Sequence, residues 1–148
     1  MIMKAASRLQ ILYKQFYMHK GLLKIGAVMS ALAVALGAFG AHGLKKLVSA
    51  ESVGVFDTGV KYMIYHSLAI LIVGILAEKF SSRNIILAGY SFLIGIILFS
   101  GSLYLLTFFK AQGVVGLSGI GIITPIGGLF FILGWILLVM GLRDNSKP

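Results

Sequence analysis

Polar and apolar positions along this chain come in long blocks rather than single alternations. Charge-free runs cover Ile25–Leu44, Tyr62–Ala77 and Asn84–Phe109 and, after a glycine-rich turn at Lys110–Gly119, extend from about Ile120 to Leu142. A helix of about 20 apolar residues crosses a bilayer. Four transmembrane helices are therefore predicted, at about residues 22–44, 60–79, 84–109 and 120–142. The predicted fold class is all-α, an integral membrane four-helix bundle. Residues 21–143 form its single domain, and 144–148 a polar tail.

The segments around these runs are read separately. Met1–Lys24 carries basic residues and no acid, with Ile2, Leu9, Leu12 and Phe16 at roughly helical spacing. That pattern suits a short helix lying on an anionic membrane surface. The competing readings of residues 1–20 are a loosely ordered tail or an untranslated segment, since Met18 makes a natural start. Lys45–Lys61 reads as a loop, with Ser49, Glu51, Ser52, Val53, Val55 and Phe56 suggesting a short interfacial helix. The second run, about 16 residues, covers about 24 Å of a ~30 Å hydrocarbon core. Lys61 and Lys79 are expected to snorkel across the shortfall.

Small residues carry a second pattern. Gly26, Ser30, Ala33, Gly37 and Gly40 recur at steps of four and three, which keeps them on one seam. A seam without bulk lets a partner backbone approach closely in lipid. Gly127, Gly134 and Gly141 repeat every seven residues and predict a second seam. A cleavable signal ending near Ala41 is the competing reading of the first run. Small residues along its whole length favour an uncut helix. Thr124-Pro125 is placed near the start of the fourth helix, where a missing N–H costs least. Trp135 lies deep and reads as packing.

Composition narrows the class. Charged residues make up 11% and mean hydropathy is +1.00, against about 25% charged in soluble domains. A soluble protein this apolar would expose large sticky patches. Cysteine is absent, which excludes disulfides, thiolate metal sites and cysteine nucleophiles. The net charge of +9 does not indicate nucleic acid. The basic residues lie between apolar runs, as headgroup anchors do, so membrane lipids are the expected partners. Nine of them fall at the termini and the second turn, against four in the first and third loops with Lys61. The positive-inside bias then puts both termini in the cytoplasm.

With that orientation, most intramembrane polar groups fall at one depth on the exterior side. A ligand pocket is predicted there from His42, Asp57, Tyr62, Tyr65, His66, Ser102, Tyr104 and Thr124, because polar groups in hydrocarbon need partners and often mark function. Ser30, Tyr90 and Ser91 lie in the inner half.

Four motifs in order carry a resemblance. Gly37–Leu44 reads G-A-F-G-A-H-G-L, Phe56–Ala69 F-D-T-G-V-K-Y-M-I-Y-H-S-L-A, Phe99–Leu106 F-S-G-S-L-Y-L-L, and Ile123–Trp135 I-T-P-I-G-G-L-F-F-I-L-G-W. From about Lys20 to Leu142 the chain resembles the YgdD/YwdK-type family of small bacterial membrane proteins of unknown function. The resemblance implies four helices in the cytoplasmic membrane. It implies no activity, substrate or cofactor. Met1–Tyr17 extends beyond the family's usual start.

The bland reading of the histidines is that His42 caps helix one and His66 bonds a Tyr or Ser on helix three. The sharper alternative is a metal or haem site using both, although their spacing matches no ligand motif. Tyr62, Tyr65 and Tyr104 suit an apolar ligand with a polar head, or an interfacial aromatic belt. Ser100, Ser102 or Thr124 with His66 lacks the third group and oxyanion site of a hydrolase. No internal repeat suggests a transporter, and no charged ring a channel. A non-enzymatic protein binding a lipid-like or small ligand, or a partner protein, without a cofactor, is expected. A structural assembly factor without ligand is a further alternative, and a homo-oligomer is possible but not required.

Overall fold

The computed structural model describes residues 2–80, 82–114 and 118–143, with side chains outside the description at 2–19 and 118. Helix α1 spans Ile2–His42. A 3-10 turn, Leu44–Lys46, leads to α2, Ala50–Lys79. Helix α3, Arg83–Gly95, runs through a π-helical segment, Ile96–Ser100, into α4, Gly101–Ala111. Helix α5 spans Ser118–Arg143. Four spans are long and apolar enough to cross a membrane: Lys20–Lys46, Ala50–Lys79, Arg83–Ala111 and Gly119–Arg143.

The boundary of the second span differs from the sequence expectation. No loop with a separate interfacial helix precedes it. The Ser49 side chain accepts the Ser52 N–H at 3.3 Å and caps a helix unbroken from Ala50 to Lys79. Ser52, Phe56, Gly59, Met63, His66, Ile70, Val73 and Ala77 form its buried stripe, at alternating steps of four and three. Glu51, Asp57 and Lys61 are exposed on the outward side. Counting charges along the chain cut this helix short because the count ignores the face each charge occupies. With 30 residues, α2 is about 45 Å long, so no shortfall needs snorkelling. Likewise α1 continues without a break through the basic N-terminal segment. Whether that segment presents an amphipathic face lies outside the described residues, as does the tail at 144–148.

Glycine seams set the pairing. A Cβ on Gly26 would stand 2.8 Å from the Leu71 side chain, and one on Gly74 equally close to Leu23. Gly37 faces Val60 and Gly40 faces Phe56. The residue numbers of these pairs have the same sum to within one, as two antiparallel helices in a single register require. Span three and α5 repeat the device. Ile85 meets Gly141, Phe92 meets Gly134, Phe131 meets Gly95 and Phe99 meets Gly127, all with one constant sum. Bulk on one helix fills a glycine gap on the other. Lipid tails give no hydrophobic drive for association, so these dispersion contacts hold the helices together. Val73 faces Gly89 and Tyr104 faces Gly59, which joins α2 to span three, again antiparallel. The Lys20 end of α1 and the Arg143 end of α5 therefore lie at the same end of the bundle.

Two local features were not anticipated. In the π segment the Gly101 N–H bonds to the Ile96 carbonyl, five residues back. Helix α4 stops at Gly113, whose φ of 74° is left-handed. There the Val114 N–H reaches the Phe109 carbonyl and the Gly113 N–H that of Lys110, closing the helix end as a Schellman motif. Pro125 is also deeper than expected, two turns into α5. Outward-facing Leu32, Val34, Ile72, Ile75, Ile97, Leu129, Ile132 and Val139 are exposed and make the lipid-facing coat of a multi-pass membrane protein.

Candidate functional site

The predicted polar residues do not share one depth: His42 and Asp57 lie toward one end of the bundle and Tyr65 and His66 at the middle of α2, and they divide into separate groups. His66 is enclosed, at 6% exposure. Its ring lies flat on Phe131, with centroids 3.5 Å apart and planes within 7°. Tyr62 stacks on its other neighbours, 4.5 Å from Phe99 and 6.0 Å from His66. Phe92 and Trp135 complete the cluster. His66 Nδ1 lies 2.9 Å from the Tyr62 carbonyl. A carbonyl only accepts, so Nδ1 carries the proton and Nε2 holds the lone pair. The expected bond to a Tyr or Ser on span three is not made; the partner is a backbone oxygen one turn back on the same helix.

A second group bridges span three and α5. The Ser102 hydroxyl donates to the Phe99 carbonyl at 2.9 Å and lies 2.7 Å from the Thr124 hydroxyl. The Ser102–Thr124 pair has the same number sum as the glycine pairs, so it continues that seam with a hydrogen bond in place of a gap. A third group joins α2 to α4. The Tyr104 hydroxyl donates to Met63 Sδ at 3.4 Å, and the Tyr104 ring packs 4.8 Å from Phe56. Nearby, the Thr107 hydroxyl lies between the Leu103 and Ser52 carbonyls.

The remaining predicted residues face outward. Tyr65 is 59% exposed. Asp57 is exposed and pairs with Lys61 at 2.8 Å. His42 ends α1 exposed, and of the C-terminal carbonyls it was expected to cap, that of Phe39 receives the Gly43 N–H. Among the described residues no group of three or more His, Cys, Asp or Glu gathers to hold a metal ion. Trp135 packs edge-on against Phe92 at 4.9 Å yet leaves 47% of its surface outward, so it is only half a packing residue. Ser100, in the π segment, is sealed and its hydroxyl has no partner. Helical serines usually bond the carbonyl four back, but the Ile96 carbonyl is taken by Gly101.

Space for a ligand lies elsewhere. A groove of about 630 Å³ opens between the C-terminal half of α1 and the start of α2. Gly37, Gly40, Ala41, Val53, Phe56 and Val60 line it, with Lys45 and Asp57 as its charged members. Of the predicted site residues, Asp57 alone borders it. A gap left by missing side chains has no residue type to announce it, so only the glycine spacing pointed there.

Four apolar spans in an all-helical fold define an integral multi-pass membrane protein. The chain belongs to the family described as "Protein of unknown function (DUF423)", matched over residues 36–128. It is 44% identical to UPF0382 membrane protein YwdK of Bacillus subtilis over 117 residues, covering 78% of this chain and 90% of that one. A UPF0382 membrane protein of Haemophilus influenzae is 42% identical over 119 residues, covering 80% of this chain and 90% of its own length. A Staphylococcus aureus relative is 42% identical over 116 residues, or 78% and 89% of the two chains. No solved structure matches the chain significantly.

Proposed function

We propose that the protein is a non-enzymatic component of the cytoplasmic membrane, with both termini in the cytoplasm, that binds a lipid-like amphiphile at its exterior end. The groove between α1 and α2 carries this reading. Its volume falls in the range of small-molecule sites, its lining is mostly apolar, and Lys45 and Asp57 are its charged members. The eight-residue pocket expected from sequence contracts to the Asp57 edge of this groove. The other predicted residues act within the fold or face lipid.

Two features support the absence of catalysis. Ser102 and Thr124 are bonded to each other, and the His66 ring lies among Phe131, Phe92, Tyr62 and Trp135. Among the described residues no hydroxyl is therefore hydrogen-bonded to an imidazole, as an activated nucleophile would be. Among the described residues, metal or haem binding through His42 and His66 has no gathered donor set in its favour. Purified full-length protein, extracted with solvent and analysed by mass spectrometry, should release a stoichiometric amphiphile. Protein that releases none and instead retains a partner protein in mild detergent would overturn the reading in favour of an assembly factor. A Soret band lost in His66→Ala would favour haem. The cysteine-free sequence lets single cysteines at Ser49 and Asn145 report orientation. Labelling from outside at Ser49→Cys and not at Asn145→Cys is expected.

A further inference from the structure

The charges around the groove are not balanced, and this indicates which amphiphile fits. Both acids at this end already have partners. Asp57 binds Lys61 at 2.8 Å and Glu51 approaches Lys110 at 3.9 Å. Lys45, on the 3-10 turn, lines the groove and forms no ion pair among the described residues. An unpaired ammonium beside an apolar trough attracts an amphiphile with a negative head. On α1 the trough is lined by Gly37, Gly40 and Ala41, which carry little or no side chain. Gly54 lines it too and has nothing within 4 Å of where a Cβ would stand.

We propose that the groove holds one anionic phospholipid, an acyl chain lying along the Gly37–Gly40–Ala41 face of α1 and the phosphate on Lys45. The proposal rests on the amphiphile-binding reading above and adds the sign of the headgroup. One basic side chain near an anionic headgroup is worth about fivefold in occupancy, and that is the preference expected over a zwitterionic lipid.

The test uses the full chain in non-ionic detergent, with bound lipid read by native mass spectrometry. Dioleoyl phosphatidylglycerol, dioleoyl phosphatidylcholine and inorganic phosphate are the probes. Wild type should prefer phosphatidylglycerol about fivefold. Lys45→Glu should lose that preference and still bind phosphatidylcholine. Gly54→Leu adds bulk to the trough from a position where a Cβ meets nothing within 4 Å and should lose both lipids. Lys79→Glu, at the other end of the bundle, should behave as wild type. Circular dichroism and size-exclusion profiles verify the fold, with Lys45→Gln and Gly54→Val replacing any variant that fails. Equal binding of the two lipids, both lost in Gly54→Leu, overturns the anionic headgroup but keeps the groove. Lipid binding indifferent to Gly54→Leu overturns both. Phosphate that displaces phosphatidylglycerol assigns Lys45 to a free anion and overturns the lipid.

Discussion

Replacing Gly134 with alanine tests the packing on which the α3–α5 pair depends. The new methyl would stand 2.5 Å from Cε1 and 2.6 Å from Cδ1 of Phe92. Carbon atoms settle near 3.5–4.0 Å, so the ring has to retreat by about 1 Å. It has nowhere to go. Phe92 is fully buried, packs edge-on against Trp135 at 4.9 Å and lies 5.5 Å from the His66 ring. Overpacking of this kind costs about 1–3 kcal/mol. Gly54→Ala is the matched control. The space there is open, and the substitution should stabilise by about 0.4–1 kcal/mol through the unfolded chain. The same chemical change thus carries opposite signs at two helical positions. Unfolding by added dodecyl sulfate in maltoside micelles measures both. Trp135, the only tryptophan, lies beside the perturbed ring and reports it by fluorescence. Phe92→Leu combined with Gly134→Ala should recover part of the loss, since the two sites are in direct contact. Unchanged midpoints in Gly134→Ala, or shifts of one sign in both variants, would show that the seam is not close-packed.

Three further outcomes follow from single contacts and use the same titration. Thr124→Val removes the 2.7 Å bond to Ser102 and should cost about 0.6–1.7 kcal/mol, with Ser102→Ala adding little to it; full additivity would mean the two hydroxyls do not interact. His66→Phe preserves a flat ring on Phe131 and should cost less than about 1.5 kcal/mol, whereas His66→Ala leaves a cavity and should cost about 3 kcal/mol or more. The reverse order would show that the Tyr62 bond, not the stack, holds this residue. Gly113→Ala places a side chain at a φ of 74° and should destabilise by about 1–2 kcal/mol; no change would mean that the α4 end is not fixed by this turn.

The spans and seams were legible because each is a one-dimensional period. The heptad Gly127, Gly134, Gly141 survives in any fold that uses it. Its complement was visible too, since Ile85, Phe92 and Phe99 carry the same seven-residue spacing; what no spacing supplies is that one set faces the other. That the polar residues divide into separate groups was hidden for a related reason. Depth along the membrane normal can be counted only from the true helix ends; with α2 beginning at Ala50, Tyr65 and His66 fall at its middle while His42 ends α1, so the eight residues do not share one depth. Direction around each helix cannot be counted without knowing where the neighbours stand. Tyr65 and His66 are adjacent in sequence and about 100° apart around α2, which sends one to lipid and the other onto Phe131. Ser102 and Tyr104 are two residues and about 200° apart, so one turns to α5 and the other to α2. A polar residue in a span therefore marks a site only when its direction is known as well as its depth. In this bundle the shared direction belongs to the residues that have least to show, the glycines along α1 and α2.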